Sequence, residues 1–172
     1  MKYCYFFVLS LQRGSIDEWW PLFYESFHLP VSIIGILVAA GYGVFTIAGY
    51  TAHLFKGNGI EYVLLIISAL LFIIVGFGKS VILLPFIFIA LFLLKVANVK
   101  LEIKFQQAIR GDQRATISSL KSLFLEIGYI GFVLFFGFIS TVLGISAIIY
   151  LLGSLLLLWI IIFKFFLKIK SI

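Results

Sequence analysis

Long stretches of this chain carry no charge, and this feature constrains its fold more than any other. Val31–Phe55 is a run of 25 residues without a formal charge, and Tyr62–Gly78 and Val81–Leu94 are two further uncharged runs. A helix needs about 20 mostly apolar residues to cross about 30 Å of hydrocarbon. With 63% hydrophobic and 12% charged residues, the chain is also far more apolar than a soluble domain. The runs therefore predict membrane helices, the third of them extended past Lys95, whose side chain can reach the headgroups.

The longest apolar run, Leu123–Phe163, has 41 residues and a single charge. As one helix it would be about 60 Å long, twice the thickness of a bilayer. It must therefore fold back, and residues 141–144 are the predicted bend because β-branched residues and glycine replace leucine there. Before this run, Val99–Phe105 alternates apolar and polar residues, as in a strand. Beside a basic loop, the end of a helix or an interfacial turn is the simpler interpretation.

The first 28 residues allow two interpretations. Tyr3–Leu11 is apolar and is followed by a polar stretch and then an aromatic one. A signal peptide would use Tyr3–Leu11 as its apolar region, but no small-residue cleavage site follows. We favour the alternative, a helix over residues 3–24 whose Trp19, Trp20 and Tyr24 lie in the interfacial aromatic belt.

The sequence thus predicts an all-α fold, a bundle of six transmembrane helices that forms one domain over residues 1–172. The predicted helices cover about residues 3–24, 31–55, 61–78, 81–99, 116–140 and 145–165.

The charges orient this bundle. Six helices place both termini on one side, together with the connections near Lys56 and Lys100, and that side receives 11 of the 13 basic residues. By the positive-inside rule it is the cytoplasmic side. The expected location is a bacterial cytoplasmic membrane, crossed several times. The basic residues on that side are Lys2, Lys56, Lys95, Lys100, Lys104, Arg110, Arg114, Lys121, Lys164, Lys168 and Lys170.

Several familiar functional motifs are incomplete in this sequence. Gly78-Lys79-Ser80 ends like a phosphate-binding loop, but Ile73 stands where that loop needs a glycine. His28 and His53 fall on opposite sides of the predicted membrane, and Cys4 is the only cysteine, so no metal site is predicted. We expect no cofactor, no nucleic-acid partner and no enzymatic activity.

One helix carries a stripe of small residues. Gly35, Ala39 and Gly43 are spaced by four along the second predicted helix. Small residues at this spacing let two helices approach closely in lipid, so the stripe predicts a helix-packing seam.

Four charged residues are predicted to lie deep within the membrane, away from the headgroups. Such a residue costs about 2.5–3.5 kcal/mol at mid-bilayer by insertion scales, so it usually faces a cavity, a partner or an ion path. Arg13 and Asp17 share a helix face, Glu18 projects beside them, and Glu126 lies about 15 Å along its helix. These four are candidates for a substrate or ion pathway. The alternatives are a static Arg13–Asp17 pair, a first helix that ends early, and a Glu126 at headgroup level.

The stretch Arg114–Leu123 reads Arg-Ala-Thr-Ile-Ser-Ser-Leu-Lys-Ser-Leu. It resembles the cytoplasmic entry to the eleventh helix of major facilitator superfamily transporters. The residues that carry this motif are Arg114, Ala115, Thr116, Ser118 and Ser122. The resemblance implies that Arg114 lies at the level of the lipid phosphates and that Thr116, Ser118 or Ser119 caps the helix start.

Two further stretches extend the resemblance over nearly the whole chain. Asp17–Tyr24 is similar to the outer part of the family's seventh helix. Gly49–Leu54 is similar to the start of its Gly-x-x-x-Asp-Arg loop, although His53 stands where the acid is expected.

The resemblance fits helices seven to twelve, the C-terminal half of a fold built from two six-helix halves around a central cavity. It implies transport of a small solute, coupled to a proton gradient, with Asp17, Glu18 and Glu126 as coupling or binding groups. Besides lipid, the expected partner is a separately encoded N-terminal half or a second copy. Met1 falls just inside the seventh helix, which favours a fragment of a longer transporter. The alternative function is a non-transporting membrane assembly or scaffold protein.

Overall fold

The structure, a computed structural model, describes residues 19–57, 59–109 and 114–169. These ranges contain helices and turns and no strand, which confirms the all-helical prediction. Helix α1 covers residues 19–25 of the described part. The helices that follow are α2 (Val31–Thr51), α3 (Ile60–Gly78), α4 (Leu84–Ala108), α5 (Arg114–Leu143) and α6 (Ile145–Ile169), with 3₁₀ turns at Ala52–Leu54 and Val81–Leu83.

Five of these helices are long and apolar enough to cross a membrane by their length and composition. With their adjoining 3₁₀ turns they give candidate spans over Val31–Leu54, Ile60–Gly78, Val81–Ala108, Ala115–Leu143 and Ile145–Ile162.

Helices α4 and α5 are longer than the sequence pattern indicated. Helix α4 continues to Ala108 rather than ending near residue 99, so the alternating stretch Val99–Phe105 is helical. Lysine and glutamate in this stretch, and the glutamines and alanine that follow it, are good helix formers. Helix α5 begins at Arg114 and ends at Leu143. The break before α6 falls at Gly144, within the predicted bend, and its φ of +80° is one that glycine adopts without a Cβ penalty.

Helix α4 packs between α2 and α3, and α3 packs between α4 and α6, while α5 packs against α6. Helices α3 and α4 are antiparallel. The hydroxyl of Ser68 donates to the carbonyl oxygen of Ala90 at 2.8 Å, whereas Glu61, about two turns earlier on α3, pairs with Lys104 near the end of α4. The start of α3 and the end of α4 therefore lie at the same end of the bundle.

Two glycines bring α3 and α6 into backbone contact. A Cβ atom on Gly76 would overlap the backbone nitrogen of Tyr150, and one on Gly153 would lie 2.7 Å from the carbonyl oxygen of Ala69. This contact is one of close van der Waals approach, as is usual for glycine between helices in lipid.

The aromatic residues of α1 lie inside the bundle. Trp19, Trp20 and Tyr24 are all buried, which overturns the prediction that they form an interfacial belt. The Trp20 ring packs over Gly41, with no room for a Cβ there, and its centroid is 5.6 Å from that of Phe45.

Candidate functional site

Of the four predicted pathway residues, Glu126 lies in the described part of the chain. Arg13, Asp17 and Glu18 lie outside the described residues. Glu126 lies on α5 with its side chain exposed. Because α5 has 30 residues, it is about 45 Å long and exceeds a bilayer core by about 15 Å. Glu126 is 12 residues from its first residue, about 18 Å along it.

The family-like motif forms the first turns of α5. The helix begins at Arg114, so Thr116, Ser118 and Ser119 lie within it and do not cap it. The Ser122 hydroxyl donates to the Ser118 carbonyl at 3.1 Å, a bond that satisfies the hydroxyl within its own helix.

The small-residue stripe of α2 makes no close contact in the described structure. Gly35, Ala39 and Gly43 are exposed, and a Cβ on Gly35 or Gly43 would meet nothing within 4 Å. Gly41, on another face of α2, carries the close packing instead. A role for the stripe as a seam stays a prediction.

The polar side chains that the structure does bring together belong mainly to the last three turns of α4. Lys104 Nζ lies 2.5 Å from Glu61 Oε1 on α3, and Lys121 Nζ of α5 lies 2.6 Å from Glu102 Oε2. Lys100 Nζ donates to the carbonyl oxygen of Phe55, just beyond α2. We call these five side chains the α4 charge cluster: Glu61, Lys100, Glu102, Lys104 and Lys121. It joins α4 to α2, α3 and α5.

Two polar side chains in this region are buried, Glu61 within the cluster and Asn98 just before it on α4. Glu61 is 2% exposed and Asn98 is 7% exposed. Oε2 of Glu61 and both Oδ1 and Nδ2 of Asn98 have no hydrogen-bond partner among the described groups. An unsatisfied buried polar group costs about 1–3 kcal/mol, and native structures contain few of them. Asn98 is therefore a buried amide whose donor and acceptor are left unsatisfied by the described residues.

Asn98 begins a polar stripe along α4. Asn98, Glu102 and Gln106 are spaced by four residues and so share one helix face. Gln106 Nε2 donates to Glu102 Oε1 at 2.9 Å. The stripe runs from buried Asn98 to the half-buried Glu102 and Gln106, about 12 Å along the axis. We call these three residues the α4 polar stripe.

The sequence contains a signal for this stripe that the uncharged apolar runs do not reveal. Four-residue spacing of Asn98, Glu102 and Gln106, and of Lys100 and Lys104, marks two polar faces on one helix. Their partners Glu61 and Lys121 lie 43 residues before Lys104 and 19 residues after Glu102, so no local pattern reveals them.

Among the described residues, no group of three or more His, Cys, Asp or Glu side chains is placed to hold a metal ion. Comparison with protein-family models, with curated proteins and with solved structures found no match to this chain.

Proposed function

We propose that this chain is an integral membrane protein whose helices α2–α6 span the bilayer. Its candidate spans have mean hydropathy between 2.0 and 2.6. Many large apolar side chains on them are exposed, among them Phe77 at 82%, Leu134 at 70% and Phe138 at 71%. In water such a surface would drive aggregation, whereas lipid chains would cover it at no such cost.

The distribution of lysines supports an orientation for the proposed protein. The end of α2, the start of α3, the end of α4 and the start of α5 meet at one end of the bundle, where the α4 charge cluster lies. Lys79, between α3 and α4, lies at the opposite end. By the positive-inside rule the end with the charge cluster is cytoplasmic.

Within this membrane protein we propose a transport function, the movement of a small solute as the C-terminal half of a major-facilitator-like carrier. The observation that carries this proposal is Asn98, a buried amide with no hydrogen-bond partner among the described residues, at the end of the α4 polar stripe that lies deepest in the span. Val81 lies at the opposite end of the span, and Asn98 is 17 residues further on, about 26 Å along the axis. The amide is thus within the hydrocarbon depth, where a polar group normally marks a solute or ion pathway.

An experiment on water access tests this proposal. Replacing Cys4, the only cysteine, with serine gives a background in which Asn98→Cys can be labelled by a membrane-impermeant methanethiosulfonate from the cytoplasmic side. The matched control is Ala97→Cys, at the same depth but fully buried at 0% exposure. Gln106→Cys is the positive control, at the end of the stripe nearest the proposed cytoplasmic surface.

A polar path predicts labelling of Asn98→Cys and Gln106→Cys but not of Ala97→Cys. Labelling of Gln106→Cys alone would contradict a path and favour the second candidate, a non-transporting membrane assembly. That candidate is supported by the ion pairs Glu61–Lys104 and Glu102–Lys121, because they bind the charged end of α4 to α3 and α5.

A further inference from the structure

Three lysines belong to one corner of the bundle, near the end of α2, the start of α3 and the last turns of α4. Lys100 Nζ donates to the carbonyl oxygen of Phe55, which places its ammonium beside the backbone of the next residue, Lys56. Lys104 is one turn further along α4, on the same helix face as Lys100. Lys56, Lys100 and Lys104 form what we call the lysine corner.

The charge of the lysine corner is not balanced by the acid that it contacts. Glu61 is the carboxylate that pairs there, and its side chain is 3% exposed whereas that of Lys104 is 52% exposed. The corner thus contains three lysines and one buried carboxylate, a net formal charge of +2. Each ammonium has three N–H donors, and the bonds to Phe55 and Glu61 use one donor each.

The corner lies at a defined depth if the chain spans a membrane. Lys100 and Lys104 are 19 and 23 residues beyond Val81 at the other end of the span, about 29 and 35 Å along α4. A bilayer core is about 30 Å thick, so both ammonium groups reach the layer of the lipid phosphates.

We propose that the lysine corner binds the phosphate of an anionic phospholipid headgroup. Two net positive charges at phosphate depth, with ammonium donors left over, match a phosphodiester, and basic pockets between helices on the cytoplasmic side bind anionic headgroups in this way. The inference rests on the membrane insertion proposed above and is independent of the transport activity. It adds a lipid ligand on the side of α4 that carries Lys100 and Lys104, away from Glu102.

Native mass spectrometry of the full chain in detergent tests the proposal. Phosphatidylglycerol is titrated against the protein, phosphatidylcholine serves as the zwitterionic comparison, and inorganic phosphate is added as a competitor. The variant is Lys56→Gln, whose side chain is exposed. The matched control is Lys79→Gln, which removes the same charge at the opposite end.

We expect at least one phosphatidylglycerol to bind in preference to phosphatidylcholine. Lys56→Gln should weaken that binding about fivefold, the loss in affinity expected when one lysine near an anionic surface is removed. Lys79→Gln should leave the binding unchanged. Millimolar inorganic phosphate should not displace the lipid. Full displacement would identify the ligand as free phosphate and overturn the lipid proposal.

Equal affinity for both lipids, or equal losses in Lys56→Gln and Lys79→Gln, would also overturn it. Circular dichroism of both variants confirms that they keep their helices. Extraction of membranes with alkaline carbonate separates this result from the proposed insertion. A chain released by carbonate contradicts the membrane proposal, whereas a retained chain without lipid preference contradicts only the lysine corner.

Discussion

Lys104 Nζ and Glu61 Oε1 lie 2.5 Å apart, so the last turns of α4 are bound to the first turn of α3. The two side chains are unequally buried, with 52% of the lysine and 3% of the glutamate exposed. Removing the lysine therefore leaves a buried carboxylate without its partner, which costs more than the pair itself contributes.

We expect Lys104→Met to destabilise the bundle by about 1–3 kcal/mol, below the cost for a fully buried pair because water still reaches the site. Glu61→Gln should cost less because it leaves no buried charge. Unfolding in dodecyl maltoside titrated with sodium dodecyl sulfate measures the free energy of unfolding. Lys121→Met is the matched control: its partner Glu102 is 38% exposed, so the loss should be about 0–1 kcal/mol. Similar losses in both variants would contradict this unequal burial.

The glycines between α3 and α6 give a second prediction. Gly76→Ala and Gly153→Ala should each destabilise the protein by about 1–3 kcal/mol, because the added methyl group forces the backbones apart. Gly43→Ala should be neutral or stabilising, since nothing lies within 4 Å of the new Cβ and alanine favours helix. The same detergent titration tests this order. Loss of stability in Gly43→Ala would show that the α2 stripe does pack against another chain or segment.

Asn98 and Ser68 should respond in opposite directions to apolar substitution. Asn98→Leu should stabilise the fold by about 1 kcal/mol, because the amide has no partner among the described groups and its burial is unfavourable. Ser68→Ala should destabilise it by about 1 kcal/mol, because the bond to the Ala90 carbonyl is lost. Thermal unfolding in detergent, followed by circular dichroism, measures both. A destabilised Asn98→Leu would show that the amide serves the fold, and the α4 polar stripe would then no longer support transport.

Glu126 tests the proton coupling that the family resemblance implies. In the chain paired with its N-terminal half, Glu126→Gln should reduce proton influx into pyranine-loaded proteoliposomes at least tenfold if the carboxylate carries the proton. Glu25→Gln removes another exposed carboxylate, at the end of α1, and should leave the flux unchanged. Unaltered flux in Glu126→Gln would remove this residue from the mechanism.

The helices of this protein follow from local features of the sequence. Uncharged runs such as Tyr62–Gly78 are long enough to form spans, and the glycine at residue 144 ends α5 where the bend was expected. The sequence pattern did not predict the last turns of α4, because charged residues normally mark the end of a span. Here Glu102, Lys104 and Gln106 continue the helix beyond it. It also placed Trp20 at the membrane surface, because aromatic type alone does not tell whether a neighbouring glycine opens space for a ring.

The sequence by itself determined that the chain is helical, very apolar and basic at one end, since each of these properties depends on residues close together along the chain. Only the tertiary structure decided that Lys104 pairs with Glu61. Among the described residues, it also decided that Gly76 rather than Gly43 contacts another helix and that Asn98 is buried without a hydrogen-bond partner. These relationships depend on the register and rotation of one helix against another. Packing fixes that register across tens of residues, and no periodicity within a single helix encodes it.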